Sequence, residues 1–253
     1  MLPEQKELLR EELAKKVSHF QKHPQMRPFI GDDYDKTRLL ILGESHYLKE
    51  ADYWRIKIWY NSSVDEWLPK GFTEDQFNWP GWYGDTHTAL LVTKKMHSIY
   101  SRMDAVLRAC EGVKELRSGL EGCAYMNFFQ RPAEINGGSI HNKGLDDIYA
   151  AQTLQGVCEV LKPTRIYFAS TRAYKGLGTF INQKQLQVTM ATSSFPFENV
   201  GRIKGWFNDA LIGHGAHPAS QWWNKSVKGY SKPCGQRAIT GKDALRCFAQ
   251  IQL

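Results

Sequence analysis

The chain has 253 residues, 42% of them hydrophobic and 23% charged, which excludes a mostly disordered protein. Mean hydropathy is −0.48, and no apolar run approaches the roughly 20 residues that cross a bilayer, so no membrane role is expected. Lys and Arg total 33 against 26 Asp and Glu, and the net charge of +7 suggests a polyanionic partner, nucleic acid first.

The opening residues, Met1 to Lys6, have no apolar core of the kind an export signal carries, and a cytoplasmic protein is expected. The five cysteines are odd in number and form no Cys-x-x-Cys pair. That pattern predicts free thiols in a reducing compartment, with no disulfide framework and no metal or cluster site. The length suits one full domain with a small appendage.

Residues 3–20 read as a helix. Pro3 suits a first helical position, and Leu8, Leu9, Leu13, Val17 and Phe20 recur at helical spacing. Pro24, Pro28 and Gly31 break the pattern. Residues 1–30 are therefore expected to form an accessory helix and linker, and 31–253 the main domain. Arg38 to Gly43 is a continuous apolar run ending in Gly, the mark of a strand buried on both faces. A helical stretch follows near 88–109, then a strand at Ala124–Phe129. Asp146 to Leu161 reads as a helix stopped by Pro163, with Ile148, Ala151, Leu154, Val157, Cys158 and Leu161 on one face. Arg165–Ser170 is a third strand, a helix begins near Ala173, and Leu186–Met190 is a fourth strand. Thr240 and Asp243 form a capping-box pattern before a last helix.

Strands alternating with helices predict a three-layer α/β/α sandwich around a mostly parallel, four-stranded central sheet. Ligands in such sheets sit beyond the carboxyl ends of the strands. The residues there are polar: Gly43-Glu44-Ser45-His46-Tyr47, then Asn127 with Gln130-Arg131-Pro132, and later His214-Gly215-Ala216-His217-Pro218-Ala219-Ser220. His214 and His217 stand three apart, but no further ligand accompanies them, so no metal is expected.

Taken in order, these motifs resemble those of the uracil-DNA glycosylase superfamily. Gly43-Glu44-Ser45-His46-Tyr47 stands where relatives carry Gly-Glu-Ala-Pro-Gly. Trp82-Tyr83-Gly84 resembles an aromatic-x-Gly motif, Asn127 with Arg131-Pro132 the middle motif, and His217-Pro218-Ala219-Ser220 the last. The resemblance spans about residues 36–225. It implies a monofunctional DNA glycosylase that flips a pyrimidine out of DNA and hydrolyses its N-glycosidic bond. Relatives that use Gly-Glu hold an iron–sulfur cluster through four cysteines. The closely spaced pair is missing here, and no cofactor is expected.

The implied roles follow position by position. Glu44 orients water and stabilises the cationic sugar, with Ser45 where the best-known uracil enzymes have Asp. His217 donates to the leaving base. Gly43, His46 and Tyr47 form the pocket wall, and Tyr47 aligns with the Tyr that screens out 5-methylated bases. Asn127 reads the edge of the base, and Trp82 is a candidate stacking platform. Arg131 is either a phosphate contact or a buried ion-pair partner, Ser220 is grouped with the DNA contacts, and Trp222 or Trp223 is a candidate wedge in the stack. The expected partner is DNA, and the protein is expected to act as a monomer.

Residues 50–85 hold five tryptophans: Trp54, Trp59, Trp67, Trp79 and Trp82. They read either as a satellite hydrophobic cluster or as a pocket widened for a larger base, such as glucosylated hydroxymethylcytosine in phage DNA. A reader of modified or single-stranded DNA that has lost the chemistry is a further alternative, as is an unrelated nucleotide or nucleoside hydrolase.

Overall fold

The computed structural model describes residues 1–22, 26–45, 98–110, 119–131, 133, 139–142, 144–184, 206–207, 209–220, 223–224 and 240–250. His46, Tyr47, Trp82, Pro132, Trp222, the tryptophan-rich stretch 50–85 and the expected strand 186–190 lie outside them.

The elements are α1 (Pro3–Lys16), α2 (Ser18–Lys22), β1 (Phe29–Ile30), α3 (Tyr34–Thr37), β2 (Leu39–Gly43), α4 (Ser98–Arg108), β3 (Cys123–Asn127), α5 (Gly144–Leu161), β4 (Arg165–Phe168), α6 (Thr171–Lys184), β5 (Trp206–Phe207), β6 (Ala210–His214) and α7 (Gly241–Ala249). They build one sheet in the order β1-β3-β2-β4-β6-β5. The inner four strands are parallel, and β1 and β5 pair antiparallel at the edges. This is an α/β fold with a mostly parallel mixed sheet.

The sheet has six described strands rather than the four expected. Three of the six match expected strands; of the three that do not, β1 and β5 are two-residue edges, too short to carry an apolar period. The strand Ala210–His214 also escaped the sequence reading, which took its end for part of a polar motif.

All five positions of β2 are buried, as its unbroken apolar run requires. Its residues alternate between two cores. Leu40 and Leu42 face one that takes in Met126, Phe168 and Ile212 of the sheet with Leu154 and Val157 of α5 and Leu177 of α6. Leu39 and Ile41 face a second, with Met103 and Leu107 of α4 and Leu245 and Phe248 of α7. Helices thus cover both faces.

The N-terminal helix is interrupted. Val17 is extended (φ −103°, ψ 103°) between α1 and α2. There it approaches Gly156 of α5 so closely that a Cβ on Gly156 would meet the Val17 side chain. Leu13, Val17 and Phe20 join the first core, while Leu8 stays 61% exposed. Leu8 and Leu13 share the unbroken α1 but stand five residues apart, about 140° round its axis, which is why the single stripe expected over 3–20 does not all turn inward. At the other end, Thr240 and Asp243 exchange bonds as a capping box: the Asp243 N–H donates to Thr240 Oγ1 at 3.2 Å, and the Asp243 carboxylate accepts from the Thr240 N–H. The buried Cys123 and Cys158 thiols have their pKa pushed up by loss of hydration.

Among the parallel strands the chain visits β2, then β3 on one side, then β4 and β6 on the other. The winding reverses between β2 and β4, and that is where an α/β sheet opens a crevice at its carboxyl ends.

Candidate active site

Gly43 closes β2 in register with Asn127, the last residue of β3. A Cβ at Gly43 would collide with the Tyr125 hydroxyl and the Asn127 amide oxygen, so only glycine lets these side chains cross the strand. Pairing continues past the strand ends: Phe128 N–H donates to Gly43 O at 3.1 Å and Phe129 N–H to Glu44 O at 2.9 Å. The backbone of Glu44 is thereby held to the sheet.

Its side chain is held as well. Glu44 is 6% exposed. The Ile140 N–H donates to Oε1 at 3.2 Å and the Ser170 hydroxyl to Oε2 at 2.6 Å. Both oxygens accept, as those of an ionised carboxylate do, and each keeps a lone pair for a further donor such as water. Ser170 follows β4, on the far side of the winding reversal. Its Oγ also accepts from the Ala173 N–H at 3.3 Å, capping α6. One hydroxyl therefore starts a helix and orients the acid.

The segment 139–142 that supplies the Ile140 N–H is braced by two arginines. Arg172 of α6 donates to Ile140 O at 2.8 Å and to Asn142 Oδ1 at 3.3 Å. Arg131 donates to His141 O at 3.1 Å and makes a bidentate pair with Asp146 at 2.6 and 3.0 Å. Arg131 is 4% exposed and Asp146 2%. Of the two roles open to Arg131, the buried ion pair is the one observed; its guanidinium is turned inward and is no DNA contact. Asn142 also donates to Asp147 at 2.7 Å. Burial raises the Asp147 carboxyl above its ordinary range, against the lowering by Asn142 and with a further rise from the charge of Asp146.

His217 arrives from β6. Gly215 N–H donates to Phe168 O at 3.0 Å, and Arg102 of α4 donates to Pro218 O at 2.6 Å, tying the loop at both ends. The Ala219 N–H donates to His217 Nδ1 at 3.2 Å. With Nδ1 accepting, the ring proton sits on Nε2, and Nε2–H is the donor of the ring. Ser220 N–H donates to His217 O at 2.8 Å, closing the turn.

Glu44 and His217 line the same cleft, of about 600 Å³, together with Ser170, the exposed face of α6, part of segment 139–142, and Ser220. Asn127 is not among its described lining residues. It is 8% exposed, beside Gly43 and so one residue from Glu44, and its Oδ1 accepts from the Tyr125 hydroxyl at 3.2 Å. Ser45 does not line the cleft either; its hydroxyl is enclosed without a hydrogen-bond partner. Trp223 is 2% exposed and belongs to the second core with Leu245 and Phe248, so it is a packing residue and not a wedge.

Sequence reasoning passed over Ser170, Arg172 and Lys175. Ser170 was open to discovery: it stands two residues past the end of a strand, in the zone where Glu44 was found. No local pattern marks Ile140, whose contribution is a backbone N–H.

Among the described residues no three His, Cys, Asp or Glu side chains gather as metal ligands would, and no helix is long and apolar enough to cross a membrane. Compared with protein-family models and with curated proteins, the chain matches none. What the fold and the cleft define is an α/β protein with a buried acid and an imidazole facing one crevice.

Proposed function

We propose that the chain is a uracil-DNA glycosylase-like enzyme: a monofunctional DNA glycosylase that hydrolyses the N-glycosidic bond of a pyrimidine nucleotide flipped from DNA and leaves an abasic site. The observation that carries this reading is the meeting of Glu44 and His217 in one crevice at the winding reversal of the sheet. The two groups have opposite tasks in such a reaction. As the C1′–N bond breaks, the sugar gains positive charge and the base departs as an anion. The Glu44 carboxylate, held at both oxygens, stabilises the cationic sugar and orients a water toward C1′. The water oxygen bonds to C1′, and its proton passes to the carboxylate and then to solvent. His217 Nε2–H donates a hydrogen bond to the carbonyl oxygen of the leaving base. Asn127 supplies an amide for the base edge, with its orientation set by Tyr125. Glu44 rather than Ser45 takes the water because Glu44 lines the cleft and Ser45 is not among its described lining residues.

The basic balance of the chain fits a DNA partner. A second reading, removal of a glycosylated base, is favoured by the volume of the cleft and its many hydroxyls. One experiment addresses both. The protein is incubated with uracil-containing DNA and with glucosylated phage DNA, and released base is measured by mass spectrometry, with alkaline scission of abasic sites as a second readout. Release from at least one is expected. Glu44→Ala and Asn127→Ala are expected to abolish release while DNA binding survives. No release from either DNA removes the enzymatic claim, and tight binding without release would mark a reader instead.

A further inference from the structure

The loop that carries His217 is anchored at both ends. At its start the Gly215 N–H donates to Phe168 O at 3.0 Å. At its finish the Trp223 N–H donates to Ser220 O at 3.1 Å, and the indole of Trp223 is buried in the second core. Between these anchors, one described residue from outside the loop reaches the peptide that joins Pro218 to Ala219. It is Arg102, whose Nη1 donates to Pro218 O at 2.6 Å. Arg102 stands one turn before Val106, at the margin of the face of α4 that buries Met103, Val106 and Leu107. The first turn of that helix is fixed as well, with Tyr100 edge-on to Tyr125 of β3 at 5.3 Å.

The same peptide unit has a second partner. Its N–H, on Ala219, donates to His217 Nδ1 at 3.2 Å. A trans peptide is planar, and its C=O and N–H point in opposite directions. Holding the oxygen therefore sets where the N–H points. Turned over, the unit would present the Pro218 carbonyl to the ring. Nδ1 would then have to donate, the ring proton would sit there, and Nε2 would carry a lone pair. A lone pair repels the oxygen of a departing base, whereas Nε2–H stabilises it. The guanidinium also polarises the amide at its oxygen, which strengthens the N–H as a donor.

Resting on the glycosylase reading, we infer that Arg102 is a positioning residue for base release: it fixes the orientation of the Pro218–Ala219 peptide and thereby holds His217 as the Nε2–H tautomer. The cation acts through one peptide unit and needs no contact with DNA. Its loss is felt in the chemical step, because only the Nε2–H form of the ring can donate to the leaving base.

The test reads the ring directly. The full chain is labelled with nitrogen-15 histidine, and two-bond proton–nitrogen spectra are recorded at about pH 8.5, roughly two units above the ordinary imidazole pKa. A ring nitrogen that carries a proton and one that does not resonate far apart, so the tautomer is visible without substrate. His217→Gln assigns the signals. Three variants are compared with wild type. Arg102→Met removes the cation and its donors, and Arg102→Lys keeps a cation. Arg108→Met removes an equal charge from the same helix, at its pair with Asp104. Wild type is expected to show the proton on Nε2. Arg102→Met is expected to move about half or more of the ring population to Nδ1–H, Arg102→Lys to restore most of it, and Arg108→Met to match wild type. Unmoved signals from the remaining histidines show that each variant is folded. On a DNA that wild type cleaves, single-turnover base release by Arg102→Met is expected to fall with the remaining Nε2–H fraction, about twofold to tenfold, with DNA affinity unchanged. An unchanged tautomer in Arg102→Met, equal shifts in the two methionine variants, or a rate that does not follow the tautomer overturns the inference. A shifted tautomer in a protein whose wild type cleaves no DNA would retain the lock on His217 and remove the glycosylase reading.

Discussion

Replacing Ser170 by Ala removes one oxygen and with it two bonds. Glu44 Oε2 loses a donor at 2.6 Å, and the Ala173 N–H loses the acceptor that caps α6. A hydrogen bond to a charged group contributes about 1.5–3 kcal/mol, and a lost N-cap costs about 1 kcal/mol. The first effect belongs to the carboxylate and the second to the helix, and they are read by different assays. In a chain of this size about 1 kcal/mol lowers the melting temperature by roughly 2–4 °C. If the orientation of Glu44 matters mainly as charge develops on the sugar, the bond to Ser170 appears in kcat as a loss of about tenfold to a hundredfold, with KM nearly unchanged. Single-turnover and steady-state base release on the cleaved DNA, together with thermal melts, separate the two. Ser170→Thr keeps the hydroxyl and is expected to recover most of the rate. A Ser170→Ala enzyme with kcat within twofold of wild type and only the melting shift would show that the hydroxyl is a cap and nothing more.

Arg131→Gln strips a bidentate partner from Asp146 and leaves a buried charge uncompensated, a loss of about 3–5 kcal/mol by urea denaturation. An unchanged midpoint, with a lower salt slope for DNA binding, would return Arg131 to the surface. Asp147→Asn keeps an oxygen for Asn142 and removes a carboxyl whose pKa is raised in the folded state. The folded chain holds that proton more tightly than the unfolded chain, so its contribution to stability is present at low pH and is lost as pH rises through the raised value. The variant is therefore expected to gain melting temperature at pH 7 relative to pH 4, compared with wild type; an identical pH profile refutes this.

The parallel core was legible because its strands are buried on both faces. Leu39 to Gly43 has no polar position to obscure it, Ile166 to Phe168 follow Arg165 as a buried run, and the helix ending at Leu161 announces itself through Pro163. Ala210–His214 was harder, since its apolar part is only Ala210-Leu211-Ile212 and it ends in Gly and His. Glu44 could be named because it stands directly after a strand, and His217 because it opens the His217-Pro218-Ala219-Ser220 motif. Trp223 and Arg131 misled for a common reason: a large aromatic and a guanidinium each serve a surface or an interior, and only burial decides. The N–H of Ile140 was beyond reach, because every residue except proline carries one and only folding brings this one to a carboxylate.

The outermost strands have a further consequence. β1 and β5 are two residues each and run against their neighbours. A long outer parallel strand would expose a row of unpaired amides, a template on which another chain could add itself. Among the described residues each margin ends in a stub, so growth of the sheet along these two strands from one molecule into the next finds almost nothing to zip onto. Four residues thus blunt the two described margins against cross-strand aggregation.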